Sequence, residues 1–339
     1  MPSGGDQETW LHEQLGKRHR LAVLIVGAAA LAVGASLGVA WAAGFGRVAD
    51  ALIHPHWVWL PIAVAGEAVA YIGYTLAYRE VVRAEGGAEL EVPKTAALVA
   101  TGFGVFVQAG GFALDRAALE RAGLSEQEAR ARVLGLGMLE YLVLAPAAAV
   151  AALIVLLYHQ SISESLTLPW LIGVPAGIAF ALAALRLKGR FQREGGWRRH
   201  LRDALQALEL ALTFVRQPRN YGLGITGIAV YWFGDIFCLW AALHVFYAQT
   251  PPVAQLVLGY ATGYALTRRS LPLGGAGVVE ALLPFALGWV GIELGQALLA
   301  VFAYRLINLW LPMIPALAGI PALRNLERRR PRAVGAHSR

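Results

Sequence analysis

The chain has 339 residues, of which 57% are hydrophobic and 15% charged, and its formal net charge is +7 at pH 7. Soluble proteins carry about 25% charged residues, so this composition excludes an ordinary water-soluble domain. A single cysteine, Cys238, also excludes an internal disulfide and a cysteine-based metal site.

Six apolar segments predict full membrane spans, each near the length of about 20 residues that a bilayer requires. They are residues 21–43, 57–78, 132–158, 168–186, 221–247 and 294–320. Basic residues at 17–20, in the interval 186–220 and in the tail 324–339 predict that all three regions are cytoplasmic. We expect 186–220 to be a cytoplasmic loop, in which residues 197–216 alternate as an interfacial helix does. This bias and the alanine-rich spans predict a bacterial plasma (inner) membrane with both termini in the cytoplasm.

Two further apolar segments must enter and leave the membrane by the same face if these spans are right. Residues 95–114 begin and end inside, whereas residues 251–291 begin and end outside. Both contain glycines that permit sharp turns, so we expect two re-entrant helical hairpins. The predicted fold is an all-α polytopic membrane protein with inverted repeats at 21–158 and 159–323, preceded by a cytoplasmic segment 1–20.

Residue identities support this repeat. Five positions in the first half match five in the second half at identical spacing. They are Gly123, Glu128, Ala129, Val133 and Glu140 in the first half, and Gly291, Gln296, Ala297, Val301 and Asn308 in the second. Chance similarity between two apolar segments is the alternative.

The second hairpin predicts an anion site. Arg268 and Arg269 precede Gly274 and Gly275 in a segment that is otherwise apolar. Non-helical backbone at membrane depth must be buried in protein or line a wet cavity. A half-helix that begins near Ala276 would aim unpaired N–H groups into such a cavity, and a phosphate group is the expected guest.

Glu280 lies in the first turns of this half-helix, where it either complements the helix dipole or pairs with an arginine in the cavity. Arg305 is the expected partner. In the alternative interpretation, Arg305 snorkels to a lipid headgroup, which its position in the middle of a span disfavours. The predicted substrate-binding residues are Arg268, Arg269, Gly274, Gly275, Gly277, Glu280, Arg305 and Asn308.

Four other acids are secondary candidates, since ionisable groups within a membrane are costly and commonly functional. They are Glu67, Asp115, Glu140 and Asp235. Each either couples to a proton or forms a structural ion pair with an arginine. Asp115 opens an amphipathic stretch that fits an interfacial helix better than a ligand site. His54 and His56 have no further ligands in place, so we expect no metal and no cofactor.

Residues 271–312, "LPLGGAGVVEALLPFALGWVGIELGQALLAVFAYRLINLWLP", resemble the signature of the lysylphosphatidylglycerol synthase transmembrane-region family. This flippase-like membrane domain occurs in multiple-peptide-resistance proteins and in stand-alone inner-membrane proteins. The shared pattern is Pro-Gly-Gly-x-Gly-x-x-Glu, with Leu273 here in place of the proline. The block at 108–143 resembles the first motif of the family, although Leu136 and Gly137 replace its usual Glu-Arg pair. The resemblance covers roughly residues 20–325.

The resemblance implies lipid translocation. We therefore expect a transporter that carries an anionic phospholipid or a lipid-linked precursor through a central polar cavity, with the two halves rocking around the hairpin tips. Nucleic acid is not an expected partner, and the oligomeric state is left open. No interval could hold a soluble aminoacyl-transfer domain, so we do not expect an enzyme. Two alternatives stay open: an intramembrane lipid-modifying enzyme, and a scaffold or regulator that does not transport.

Overall fold

The computed structural model describes residues 4–109, 115–116, 119–120, 123–158, 162–187, 196–246, 251–265 and 275–312. Within these ranges the side chains at 4–22, 101–109, 196–199 and 265 are not described. Every regular element in the described chain is helical. The predicted all-α polytopic class is therefore confirmed.

Eleven α-helices are described. They are α1 (Gly4–Ala43), α2 (Phe45–Ala51), α3 (Trp59–Arg83), α4 (Val92–Ala109), α5 (Glu126–Tyr158), α6 (Glu164–Arg186), α7 (Gly196–Arg216), α8 (Pro218–Phe246), α9 (Val253–Tyr260), α10 (Val278–Trp289) and α11 (Leu294–Arg305). Two π-helical segments, Ala261–Ala265 and Leu306–Trp310, continue α9 and α11.

Five of the described helices are long and apolar enough to cross a membrane. They are Val23–Ala43, Trp59–Gly86, Glu126–Tyr158, Glu164–Arg186 and Pro218–Phe246. These correspond to the first five predicted spans. The sixth predicted span, residues 294–320, is described as far as residue 312 and begins with the shorter apolar helix Leu294–Trp310.

Helices α3 and α8 share the most extensive contact in the described bundle. A Cβ atom added to Gly73 would lie 2.5 Å from the backbone nitrogen of Tyr231, and one added to Gly234 would lie 2.4 Å from the nitrogen of Ala70. The two backbones therefore touch, as they do where small residues pack between membrane helices. This contact brings the midpoints of α3 and α8 together and positions their polar side chains.

The described parts of the segment 251–291, residues 251–265 and 275–291, contain two helices, α9 and α10, that pack against each other. A Cβ atom added to Gly259 would lie 3.2 Å from Val290, and one added to Gly263 would lie 2.6 Å from Leu283. Gly259 thus contacts the C-terminal end of α10, whereas Gly263, further along the chain, contacts a residue nearer its start. Helices α9 and α10 therefore run antiparallel. The apex that we predict at residues 268–275 is described only at Gly275. Entry and exit of both predicted hairpins by one membrane face stays a prediction, as do the inverted repeat and the domain boundaries.

The two matched segments share a turn. The backbone φ angle is 103° at Gly123 and 96° at Gly291, in the left-handed region that favours glycine. In both turns, the next residue donates its N–H to a carbonyl five residues back, at 3.2 Å and 3.1 Å. The two segments that match in sequence therefore also share the same type of glycine turn, which precedes α5 in one and α11 in the other.

Within the interval 186–220, the helical pattern predicted at 197–216 is confirmed, because the 21-residue helix α7 covers it; the cytoplasmic location of the interval stays a prediction. Its apolar face is buried against protein: Leu210 lies beside Gly135 of α5, and Phe214 beside Gly224 of α8. The 33 residues of α5 span about 50 Å, which exceeds the roughly 30 Å of bilayer hydrocarbon. Helix α7 covers part of this long helix, so its alternating pattern is explained by helix packing.

Candidate functional site

The carboxylate of Glu280 joins a helix end to a buried arginine. One of its oxygens, Oε2, accepts a hydrogen bond from the backbone N–H of Gly277 at 2.7 Å. The other, Oε1, accepts from Nε of Arg305 at 2.8 Å. Both side chains are only 2% exposed. Glu280 and Arg305 are thus paired, as the sequence predicts, and their role in substrate binding stays a prediction.

The start of α10 is shaped by glycine. Gly275 and Gly277 have φ angles of 70° and 86°, which side chains other than that of glycine rarely adopt. A Cβ atom at Gly277 would also lie 3.1 Å from Leu31 of α1. The glycines therefore let the chain enter α10 close to α1, and the N–H of Gly277 at this helix end is satisfied by the Glu280 carboxylate.

Asn308 lies one helical turn beyond Arg305 and connects three other elements. Its Nδ2 donates to Oδ1 of Asp235 at 2.7 Å and to Oε2 of Glu67 at 3.3 Å. Its Oδ1 accepts from the hydroxyl of Tyr264 at 2.9 Å. The amide thus links α3, α8 and the π-helical end of α9.

Three tyrosines complete this arrangement, and none of them is among the residues predicted from the sequence. Tyr304 donates to Oδ1 of Asp235 at 3.0 Å, and Tyr260 donates to Oδ2 of the same residue. The ring of Tyr264 lies 5.9 Å from the guanidinium carbon of Arg305. A buried tyrosine hydroxyl needs a partner, and the spacing of four between Tyr260 and Tyr264 could have indicated a shared polar helix face.

We call these eight side chains the polar cluster. They are Glu67, Asp235, Tyr260, Tyr264, Glu280, Tyr304, Arg305 and Asn308. All are buried, and both π-helical segments contribute to the cluster. Such segments occur frequently at functional sites because they redirect side chains that a regular α-helix would aim elsewhere.

The structure brings together some predicted site residues but not others. Glu280, Arg305 and Asn308 join the secondary candidates Glu67 and Asp235, while Gly275 and Gly277 form the entry to α10. Arg268, Arg269 and Gly274 lie outside the described residues. Within the described ranges, no group of three or more His, Cys, Asp or Glu residues could hold a metal ion.

The remaining candidates, Asp115 and Glu140, are not among the eight residues of the polar cluster. Tyr78 of α3 donates to Oδ1 of Asp115 at 3.5 Å. Burial raises the pKa of the Asp115 carboxyl to about 7, and the hydrogen bond from Tyr78 opposes this rise. The backbone carbonyl of Glu140 accepts from Nε1 of Trp232 at 3.0 Å, and its side chain is buried on α5.

The fold and this cluster define a class: a multi-pass α-helical membrane protein whose bundle encloses a hydrogen-bonded centre of ionisable side chains. The model of the family described as the lysylphosphatidylglycerol synthase TM region matches residues 22–316. The chain belongs to this family and is a membrane protein of the flippase-like domain kind. A comparison with curated proteins finds no match.

Proposed function

We propose that the protein moves an anionic phospholipid or a lipid-linked precursor across the bacterial inner membrane, through a polar cavity centred on Arg305. The observation that carries this proposal is the position of the Glu280 carboxylate, held by both the start of α10 and Arg305. A helix N-terminus and an arginine are the two groups that proteins most readily use to hold phosphate. Glu280 therefore occupies a place that suits an anionic headgroup.

The phosphate of the lipid would replace Glu280 as the partner of Arg305. This exchange keeps the arginine paired throughout the cycle, which matters because an uncompensated charge within a membrane is costly. Glu280 would return to Arg305 once the headgroup leaves. Arg268, Arg269, Gly274 and Gly275 would add further contacts to the phosphate from the predicted apex.

Headgroup binding requires the polar cluster to open, because Arg305 is only 2% exposed in this conformation. The start of α10 is enclosed by α1 on one side, where Leu31 approaches Gly277, and by Arg305 of α11 on the other. A movement of α10 away from these helices would admit the headgroup. Lipid-transport cycles of this kind expose the same site to each membrane face in turn.

The test is lipid movement in liposomes that contain purified protein and fluorescent phosphatidylglycerol, with a membrane-impermeant quencher outside. We expect the wild type to make inner-leaflet lipid accessible, and Arg305→Ala to be at least about tenfold slower, equivalent to about 1.4 kcal/mol in the barrier. Arg305→Lys keeps the charge but loses the planar geometry, so an intermediate rate is expected. Arg130→Ala is the matched control, since Arg130 pairs with Asp203 outside the polar cluster.

Folding is checked by size-exclusion chromatography before each rate is measured. A folded Arg305→Ala protein that moves phosphatidylglycerol at the wild-type rate would contradict the proposal. Equal movement of a fluorescent lipid without net charge would refute the anionic selectivity while leaving transport itself in place.

A further inference from the structure

Two carboxyl groups from different helices meet at one amide. Nδ2 of Asn308 lies 2.7 Å from Oδ1 of Asp235 and 3.3 Å from Oε2 of Glu67. Because both oxygens contact the same nitrogen, the distance between them cannot exceed the sum of these two hydrogen-bond lengths. Glu67 is 6% exposed and Asp235 is fully buried. Like charges this close, in helices of membrane-spanning character, strongly oppose ionisation of both groups.

The backbone contact between α3 and α8 holds the main chain of Glu67 and Asp235 close together. Glu67 directly follows Gly66, and Asp235 directly follows Gly234. An ideal Cβ at Gly66 would lie 3.0 Å from the carbonyl oxygen of Gly234, and one at Gly234 would lie 2.6 Å from that of Gly66. Moving the two backbones apart would break the most extensive helix contact in the described bundle, so protonation is the easier way to relieve repulsion between the two buried carboxyls.

Helix α5, which packs against both α3 and α8, carries the buried acid Glu140. Other helices packed around the pair contribute further groups that bear on its charge. These are Tyr71 of α3, Cys238 of α8, Tyr260 and Tyr264 of α9 and its π-helical extension, Glu280 of α10, and Tyr304 and Arg305 of α11. Among the described side chains facing the pair, the cation is Arg305, which Glu280 already engages at 2.8 Å. The described side chains of α4 add Lys94, which is exposed and pairs with Glu91.

We propose that Glu67 and Asp235 form a proton-binding site that holds one proton at neutral pH. Asp235 accepts hydrogen bonds from Tyr260, Tyr304 and Asn308, all of which stabilise its ionised form. The proton therefore resides on Glu67. Release of this proton to water leaves a second carboxylate beside Asn308 and changes the charge at the junction of α3, α8 and the predicted second hairpin.

The proton site is separate from the proposed phosphate site, but the two share a helix. Asn308 follows Arg305 by three residues, and Tyr264 contacts both side chains. Proton binding would consequently bias the same elements that must move to admit a headgroup. This link to transport rests on the proposed function, whereas the proton site itself does not.

Infrared difference spectroscopy of the full-length protein, recorded between acidic and alkaline pH, tests the site directly. A buried protonated carboxyl gives a carbonyl band that shifts in heavy water. We expect the wild type to show this band at neutral pH, with contributions from Glu67 and from the buried Asp115. Glu67→Gln should remove the Glu67 component, whereas Glu140→Gln, which alters a buried acid outside the cluster, should keep it. A band that Glu67→Gln leaves unchanged would overturn the proposal.

A second variant keeps the test decisive if Glu67→Gln does not fold. Asp235→Asn removes the neighbouring charge, so the Glu67 band should titrate away at lower pH than in the wild type. An unchanged titration midpoint would also overturn the proposal. Because neither measurement uses lipid, failure here is distinguishable from failure of transport. If the proton site is coupled to transport, the rate of lipid movement in the liposome assay should depend less on pH in Glu67→Gln than in the wild type.

Discussion

Breaking the pair between Glu280 and Arg305 should cost more stability than breaking any exposed ion pair. At the observed 2.8 Å, two unit charges attract by roughly 6 kcal/mol for an effective dielectric constant of about 20. Most of this offsets the cost of removing both charges from water. Removal of one partner leaves the other buried and uncompensated, so we expect Arg305→Met or Glu280→Gln to lower the free energy of unfolding by about 3–5 kcal/mol.

A double-mutant cycle isolates the pair. Glutamine at 280 keeps an acceptor for the N–H of Gly277, and methionine at 305 fills much of the space of arginine. The double variant should therefore lose at least about 2 kcal/mol less than the sum of the single losses. Unfolding free energies would be measured by titrating denaturing detergent into mixed micelles and following helicity by circular dichroism.

The matched control is the pair of Arg130 and Glu126, which are 2.6 Å apart but 25% and 58% exposed. Arg130→Met and Glu126→Gln should couple by less than about 1 kcal/mol. If losses at 280 and 305 were additive, or as small as those at 126 and 130, the reasoning from burial would be refuted.

Three other substitutions and one control test helix packing and helix ends by the same titration. Gly234→Ala should lower the unfolding free energy by about 1–3 kcal/mol because its Cβ would meet backbone atoms, while Gly34→Ala, which faces open space, should be close to neutral or slightly stabilising. Gly277→Ala should lower it by about 1–2 kcal/mol, since φ there is 86°; a more stable variant would contradict the role of that glycine. Arg132 donates to two carbonyls at the end of α3, at 3.1 and 3.0 Å; Arg132→Met should cost about 1–3 kcal/mol and speed amide exchange there, whereas unchanged exchange would show that this cap is dispensable.

The helices were predictable because membrane spans carry a strong signal. A run of about 20 apolar residues has few structural alternatives, and the first five predicted spans correspond to helices. The interval 186–220 was less predictable. Its basic residues indicate a cytoplasmic location, but whether Leu210 and Phe214 face lipid or protein depends on the length of α5 and on Gly135 and Gly224.

The polar cluster was predictable in part. Buried charges within a membrane need partners, and that rule is enough to pair Glu280 with Arg305 from the amino-acid sequence. It could not place Glu67 beside Asp235, because their proximity comes from the register of α3 against α8. The tyrosines were missed since their hydroxyls acquire a role only when Asp235 and Asn308 lie within reach.

The glycine contact between α3 and α8 bears on how the protein could move. These helices come from different predicted halves, yet their backbones contact each other at two positions, around Gly66 and around Gly73. A rocking motion of the two halves as rigid units would have to break this contact. If this contact stays intact during transport, the elements left to move are the shorter helices α9, α10 and α11.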